Sequence, residues 1–355
     1  MSCLLLDPDR SGQLDAAVEI LRRDEPVALP TETVYGLAGR LFQDAALSRI
    51  FSLKARPQFD PLIVHVNGSE SLDKLVSEIL PLHRCLMERF WPGPLTLLFK
   101  KNPRYVSDLC TAGSDLVAIR SPSHPVFREV LARLGEPLAA PSANRFGRIS
   151  PTTASDVVSE LGPYGLEAVV DGGRCHMGVE STILDIVSDN EVRVLRPGSL
   201  PVESLRECIG SHVKFLLKGS QPGEATVAPG LLASHYAPRT SVKFIEGQAD
   251  RLGIYAARDR LGDWALLSPF PREAMPPEAQ ECFDWHWGSV EVLSESGSDI
   301  EAAARLFRVL RRLDEQGFAG IVALKMRDPG LGLAINDRLR RAAGRGGFYA
   351  PEELP

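Results

Sequence analysis

From the first residues to about residue 212, short apolar and β-branched runs alternate with segments whose apolar residues recur at helical spacing, with turn residues between them. That alternation predicts an α/β or α+β unit. Strands are expected at 27–29, 62–66, 95–99, 116–119, 168–170, 182–186 and 192–195, and helices at 14–23, 45–53, 71–90, 125–134, 153–161 and 202–209. Ser150-Pro151-Thr152-Thr153 is a hydroxyl-rich helix start with an early proline. Between Lys218 and Thr240 the pattern breaks into Gly219-Ser220-Gln221-Pro222-Gly223-Glu224, Ala228-Pro229-Gly230 and Ala237-Pro238, a linker by composition. A generic linker is polar throughout, whereas this one carries Leu231-Leu232 and His235-Tyr236, so part of it is expected to pack.

From Ser241 a second α/β unit follows, with strands expected at 242–245, 252–256, 264–267 and 320–324. An amphipathic helix at 299–316 would set Ala303, Leu306, Phe307 and Leu310 on one face. This is the pattern of a small Rossmann-like domain. No Gly-x-Gly-x-x-Gly follows its first strand, so nothing indicates a dinucleotide site. The expected organisation is a domain at 1–212, a linker at 213–240 and a second domain at 241–355.

A chain of 355 residues, 44% hydrophobic and 24% charged, is too long for one typical core, in keeping with two domains. A net charge of −6 and a pI near 5.7 argue against a protein that holds nucleic acid mainly by neutralising phosphates, and leave small charged ligands fully compatible. The six cysteines (Cys3, Cys85, Cys110, Cys175, Cys208 and Cys282) are scattered and form no Cys-x-x-Cys pair, which fits a reduced, cytoplasmic chain. Met1-Ser2-Cys3-Leu4-Leu5-Leu6-Asp7 lacks the basic region and apolar run of a signal peptide. No apolar stretch approaches the roughly 20 residues a membrane-spanning helix needs, so no membrane partner is expected.

The residues that carry chemistry sit at the ends of the expected strands. No Walker-type Gly-x-x-x-x-Gly-Lys-Ser/Thr loop, zincin helix or Gly-x-Ser-x-Gly elbow occurs. Ser71-Leu72-Asp73-Lys74 meets the bare Ser-x-x-Lys pattern of one hydrolase class but lacks its companion motifs. Val27 to Leu37 brings an apolar strand to Pro30-Thr31-Glu32-Thr33-Val34-Tyr35-Gly36, which suits a polar pocket. The same residues also read as a strand followed by a helix cap, with Thr31 or Thr33 bonding backbone N–H groups. Lys54 and Arg56 stand at a helix end just before Pro57, so they are presented on a turn leading into a strand. A guanidinium fork and an ammonium make a triphosphate clamp, or both simply complement the helix dipole. His65, inside an apolar strand, reads more simply as a core or edge histidine than as a ligand. Arg120, Ser142 to Asn144, Gly178 to Thr182 and Arg196 to Gly198 repeat the theme of polar residues at strand ends. Cations, hydroxyls and amides without an obvious nucleophile–base pair suit phosphoryl or adenylyl transfer by positioning and charge neutralisation.

In combination these motifs resemble the YrdC-type threonylcarbamoyl-AMP synthase family in its two-domain long form. The resemblance covers Pro30 to Leu37, Lys54 to His65, Trp91 to Thr96 (Trp-Pro-Gly-Pro-Leu-Thr), Ala140 to Asn144, Gly178 to Thr182, Arg196 to Gly198 and His235 to Pro238 (His-Tyr-Ala-Pro). It implies a twisted-sheet α/β domain with a concave active site and a small Rossmann-like α/β C-terminal domain, joined by a linker that covers the site. It further implies condensation of L-threonine, bicarbonate and ATP, with Mg²⁺, into threonylcarbamoyl-AMP and pyrophosphate. That product serves N6-threonylcarbamoyladenosine modification of tRNA and passes to a threonylcarbamoyl transferase complex.

Carried over by motif, Lys54, Arg56, Ser142 and Asn144 match the family's catalytic set. Thr33, His65, Arg120, Ala140 and Ser181 match its threonine-holding positions, and Arg56, Asp60, Leu116, Ser142, Ser150, Arg196 and Tyr236 its ATP contacts. No metal ligands are identified. Many relatives have asparagine where this chain has Asp60, which sets a carboxylate near phosphates unless Mg²⁺ or Lys54 compensates. The linker's Pro229 to His235 also lacks the methionine and basic residue more common before the histidine. Two alternatives stand beside this reading: from another class, a double-stranded RNA-binding module without catalysis, and, closer to it, a carbamoyl-adenylate former that uses carbamoyl phosphate. Acidity and the full motif set disfavour the first, and the second class usually carries further catalytic domains.

Overall fold

The computed structural model describes residues 3–210, 212–217, 228–232, 234–247, 250, 251, 254, 258–344, 352 and 353. The chain divides into two compact units, the first comprising 1–146, 150–232 and 348–355 and the second 147–149 and 233–347.

The first unit is built on one mixed sheet. Its strands are β1 (Leu4–Leu6), β2 (Val27–Leu29), β3 (Gly36–Arg40), β4 (Ile63–His65), β5 (Leu95–Lys100), β6 (Leu116–Arg120), β7 (Leu138–Ala139), β8 (Ala168–Val170), β9 (Thr182–Ser188), β10 (Glu191–Arg196) and β11 (Lys214–Leu217). They lie in the order β1-β8-β2-β3-β7-β4-β6-β5-β9-β10-β11, and a two-residue backbone strand at Glu352–Glu353 pairs with β11. Strands β2 and β8 are apolar on both faces and wholly buried, and β4 is wholly buried with His65 at its end. Helices Gln13–Arg22 and Pro125–Leu134 cover one end, where Leu14, Val18, Leu21, Phe127, Val130 and Leu131 join β2 and β8 in a common core.

Two departures from the expected elements have plain causes. The helix expected at 71–90 is two pieces, Leu72–Leu75 and Pro81–Phe90. Pro81 has no N–H and holds Leu80 extended (ψ 159°), so it starts a helix instead of continuing one. Nor does Thr31-Glu32-Thr33 cap a helix. Thr31 Oγ1 accepts from the N–H groups of Thr33 and Val34 at 3.1 and 3.2 Å. The chain then returns as β3, antiparallel to β2. The expected start at Ser150 to Thr153 is present: Thr153 caps helix Ala154–Leu161 and shares a capping box with Asp156.

The second unit holds β12 (Val242–Ile245), β13 (Trp264–Ser268), β14 (Ser289–Val292) and β15 (Gly320–Leu324), in the order β12-β15-β13-β14 with every pairing parallel. That is a small parallel sheet of the α/β kind expected from the alternating pattern. Helix Asp299–Gln316 begins at Ser298, whose side chain accepts from the Glu301 N–H, and ends at Gly317 in the left-handed region. Its buried face includes Ala303, Leu306, Phe307 and Leu310. The last helix, Leu331–Ala342, buries Asp337 between Arg338 and Arg341 at 2.9 and 3.0 Å. The strand expected at 252–256 lies outside the described residues except Ile254, which is helical. The stretch Gly219 to Glu224 of the expected linker also lies outside them. Among the described residues no helix is long and apolar enough to cross a membrane.

Candidate active site

Register sets the geometry of the site. β4 and β6 are parallel neighbours that pair Ile63 with Ala118 and His65 with Arg120, so His65 and Arg120 emerge side by side at one end. β5 runs antiparallel to β6 and places Thr96 opposite Arg120. β9, parallel to β5, brings Ser181 and Thr182 to the same end. The opposite ends of β4 and β6 carry Asp60 and Leu116. The site therefore has two poles across one strand pair.

At the first pole, Arg120 anchors a buried network through three of its five N–H groups. Its Nη2 donates to Glu32 Oε1 at 2.5 Å, its Nη1 to Thr33 Oγ1 at 2.9 Å and its Nε to the Gly93 carbonyl at 3.3 Å. Burial pushes the Glu32 carboxyl up, but the Arg120 charge and hydrogen bonds from Arg120 and Ser123 outweigh it and leave it below the usual carboxylate range. His65 Nδ1 lies 3.1 Å from the Ile63 carbonyl, which also accepts from the Ala140 N–H at 2.9 Å, so Ala140 and His65 share one anchor. Burial, with Arg120 adding to it, pushes the His65 pKa down to about 3. Ser181 Oγ is 2.8 Å from Thr96 Oγ1 and accepts from Arg196 Nη2 at 3.1 Å. Arg196 also reaches the Ser181 carbonyl through Nε and Nη2. Gly198 makes this approach feasible, because a Cβ there would stand 2.3 to 2.5 Å from the backbone of residues 180–182. All five residues matched to threonine thus meet at this end.

The second pole forms around the end of helix Asp44–Lys54. Ala55 closes that helix in the left-handed region (φ 49°), an uncommon conformation for a residue with a Cβ, and turns Arg56 inward. The helix's terminal carbonyls are taken by others: Arg145 Nη1 donates to the Leu53 carbonyl at 3.0 Å and the Phe146 N–H to the Lys54 carbonyl at 2.8 Å. Lys54 therefore has a different task from complementing its own helix dipole. Its Nζ donates to the carbonyls of Ser142 and Asn144, both at 2.5 Å. Arg56 donates to the carbonyls of Asp60 and Pro61 at 3.0 and 2.7 Å and lies 2.9 Å from Asp60 Oδ2. Burial, then Arg56, pushes the Lys54 pKa well below its ordinary value. Burial also raises the Asp60 carboxyl, against the pull of Arg56, Lys54 and Arg196. The matched catalytic residues Lys54, Arg56, Ser142 and Asn144 are brought together with Asp60.

The remaining ATP-matched residues are placed differently. Leu116 sits at the start of β6 with its N–H taken by Ser114 Oγ at 3.0 Å, and its side chain packs on a cluster of Ile63, Leu98, Ala118, Ile183, Leu195, Ala228 and Leu231. Ser150 Oγ donates to Glu180 Oε1 at 2.6 Å. Tyr236 belongs to the second unit, buried beside Phe307 (ring centroids 5.6 Å apart) and Arg338. Sequence reasoning did not single out Glu32, Thr96 or Glu180 as site residues, although all lie in the quoted motifs. The linker's apolar pair was the one signal that residues 228–232 pack: Ala228 and Leu231 are buried in the first unit, and Arg196 Nη1 donates to the Pro229 carbonyl at 3.1 Å.

Cations, hydroxyls and carbonyls converging at the ends of a parallel strand pair equip a transferase that works by orientation and charge neutralisation. The chain belongs to the Sua5/YciO/YrdC family. That family, described as "Telomere recombination", matches residues 19–198, and "Threonylcarbamoyl-AMP synthase, C-terminal domain" matches residues 200–344. Threonylcarbamoyl-AMP synthase of Pyrococcus abyssi is 36% identical over 329 residues, 92% of this chain and 93% of that protein. Its Bacillus subtilis namesake is 36% identical over 333 residues, 94% and 93% of the two chains. Two solved structures of P. abyssi Sua5 are similar throughout. One is a variant with a histidine and a tyrosine replaced by alanine (TM-score 0.84, 32% identity, 97% of each chain). The other is a complex with L-threonine (TM-score 0.83, 33% identity, 96% of this chain and 98% of that one). The chain is an enzyme of this adenylyl-transferring class.

Proposed function

We propose that the two poles of the first unit condense L-threonine, bicarbonate and ATP into threonylcarbamoyl-AMP and pyrophosphate, the activated intermediate for N6-threonylcarbamoyladenosine in tRNA. The observation that carries this reading is the pairing of a carboxylate-binding pole, Arg120 with Thr33 and His65, with a cationic pole, Lys54 with Arg56, across β4 and β6.

Arg120 has five N–H groups and uses three of them, which leaves one on each terminal nitrogen to form the fork that holds the threonine carboxylate. His65 is neutral, and its Nδ1 faces a carbonyl that only accepts, so Nδ1 carries the proton and Nε2 accepts from the substrate. Ser181 and Ala140 orient the amino acid. The threonine amine adds to CO2 from bicarbonate and loses a proton, the carbamate oxygen attacks the α-phosphorus, and pyrophosphate leaves. Lys54, Arg56 and Arg196 offset phosphate charge, and Lys54 ties the Ser142 to Asn144 loop to that charge.

Mg²⁺ usually binds through one or two carboxylates together with substrate phosphates. Asp60 fits as such a ligand, since both its oxygens are buried and accept no hydrogen bond beside the Arg56 ion pair. When bound, the ion would supply further charge neutralisation at the triphosphate. Contact of Leu116, Ser150 and Tyr236 with ATP, and covering of the site by the 213–240 segment, rest on the family motif. The intermediate passes in the cytoplasm to a threonylcarbamoyl transferase complex. Mass spectrometry after incubation with threonine, bicarbonate, ATP and Mg²⁺ tests the activity; folded protein that yields no threonylcarbamoyl-AMP overturns it.

A further inference from the structure

Helices Pro81–Phe90 and Val202–Ile209 pack together in the first unit, and at their contact Cys85 and Cys208 face one another with sulfurs 3.5 Å apart. The arrangement is reciprocal. Cys85 Sγ is 3.9 Å from the Cys208 carbonyl and Cys208 Sγ is 4.0 Å from the Cys85 carbonyl. Both residues are half-buried, and the pair is separated by 123 positions in sequence. The other four cysteines have no sulfur partner among the described residues.

The geometry points to Cys85 and Cys208 as a disulfide-forming pair, oxidised by a low-molecular-weight disulfide. A disulfide needs sulfurs about 2.05 Å apart, so rotation of two side chains on packed helices has little distance to close. Burial, then the neighbouring Cys85, pushes the Cys208 thiol up to about 11, and the reciprocal geometry lets either sulfur be the one that attacks first. One of the two thiolates attacks the small disulfide, forms a mixed disulfide and expels one small thiolate. The other thiol then loses its proton to solvent and attacks the protein sulfur of the mixed disulfide, expelling the second. Two protein thiols are oxidised and one small disulfide is reduced to two thiols.

The bond staples two walls of the active site. Helix Pro81–Phe90 runs into Trp91 to Pro94, whose Gly93 carbonyl holds Arg120. Helix Val202–Ile209 follows Leu200, whose N–H and carbonyl are both tied to Thr182 Oγ1, next to Ser181.

The full chain is treated with glutathione disulfide, quenched with iodoacetamide and digested. Expected are the loss of two titratable thiols, a peptide linking Cys85 to Cys208, and an apparent Tm raised by roughly 5–10 °C and restored by dithiothreitol. Cys208→Ser should instead stop at a glutathione adduct on Cys85. Retention of all six thiols, or a wild-type glutathione adduct without the Cys85–Cys208 link, overturns the proposal.

Discussion

The carboxylate of Glu32 takes a 2.5 Å hydrogen bond from Arg120 Nη2 through one oxygen and the Ser123 N–H at 3.1 Å through the other, with Glu32 wholly enclosed. The residue that faces substrate in the proposed mechanism is thus held by one that does not. Glutamine has a single acceptor oxygen and cannot satisfy both donors. Glu32→Gln is expected to raise the KM for threonine about tenfold, equivalent to ~1.4 kcal/mol, with the KM for ATP changed by less than about twofold. An equal loss toward both substrates, measured by pyrophosphate release, would mark Glu32 as merely structural.

His65 makes the native state sensitive to acid. An unfolded histidine titrates near pH 6.5, whereas here the pKa is pushed down to about 3. Because the folded value lies below the unfolded one, the unfolded chain binds the extra proton first. The stability is therefore complete above about pH 6.5 and falls as pH drops toward 3, by up to ~1.4 kcal/mol per pH unit from this group. His65→Gln should lose about 2 kcal/mol less than wild type between pH 7 and 5 in urea unfolding. Parallel pH dependences would contradict a neutral imidazole.

Removal of the cationic pole should stop chemistry. Lys54→Ala and Arg56→Ala are each expected to cut threonine- and bicarbonate-dependent pyrophosphate release by a factor of about 100 or more, with native circular dichroism. Arg56→Lys should not recover the rate, since Arg56 uses two nitrogens on the adjacent carbonyls of Asp60 and Pro61. Wild-type rates in either alanine variant would remove these residues from the mechanism.

Leu231 anchors the linker segment in the first unit, 6% exposed among Ile63, Leu98, Ile183 and Leu195. Leu231→Ala is expected to destabilise that unit by about 2–3 kcal/mol, read from urea unfolding. A change within ±0.5 kcal/mol would mean that the segment is not part of the core.

The periodic pattern alone determined most elements of both units, since apolar spacing and turn residues act over a few positions. It placed β2, β8 and β15 at their observed bounds, and the helix at 299–316. It missed β3, because Gly36-Leu37-Ala38-Gly39-Arg40 has weak strand propensity and is held by its pairing with β2 and by backbone bonds from the 137–143 segment. The quoted motifs were enough to mark Arg120 and Lys54, but not their partners. Arg120 meets Glu32 across 88 positions, Ser181 meets Thr96 across 85, and Lys54 reaches the Ser142 carbonyl across 88. The cysteines that looked scattered include two brought into contact across 123 positions. Such pairings follow from strand order and register, which are settled by how whole sheets and helices bury their faces, and no local run of residues records them.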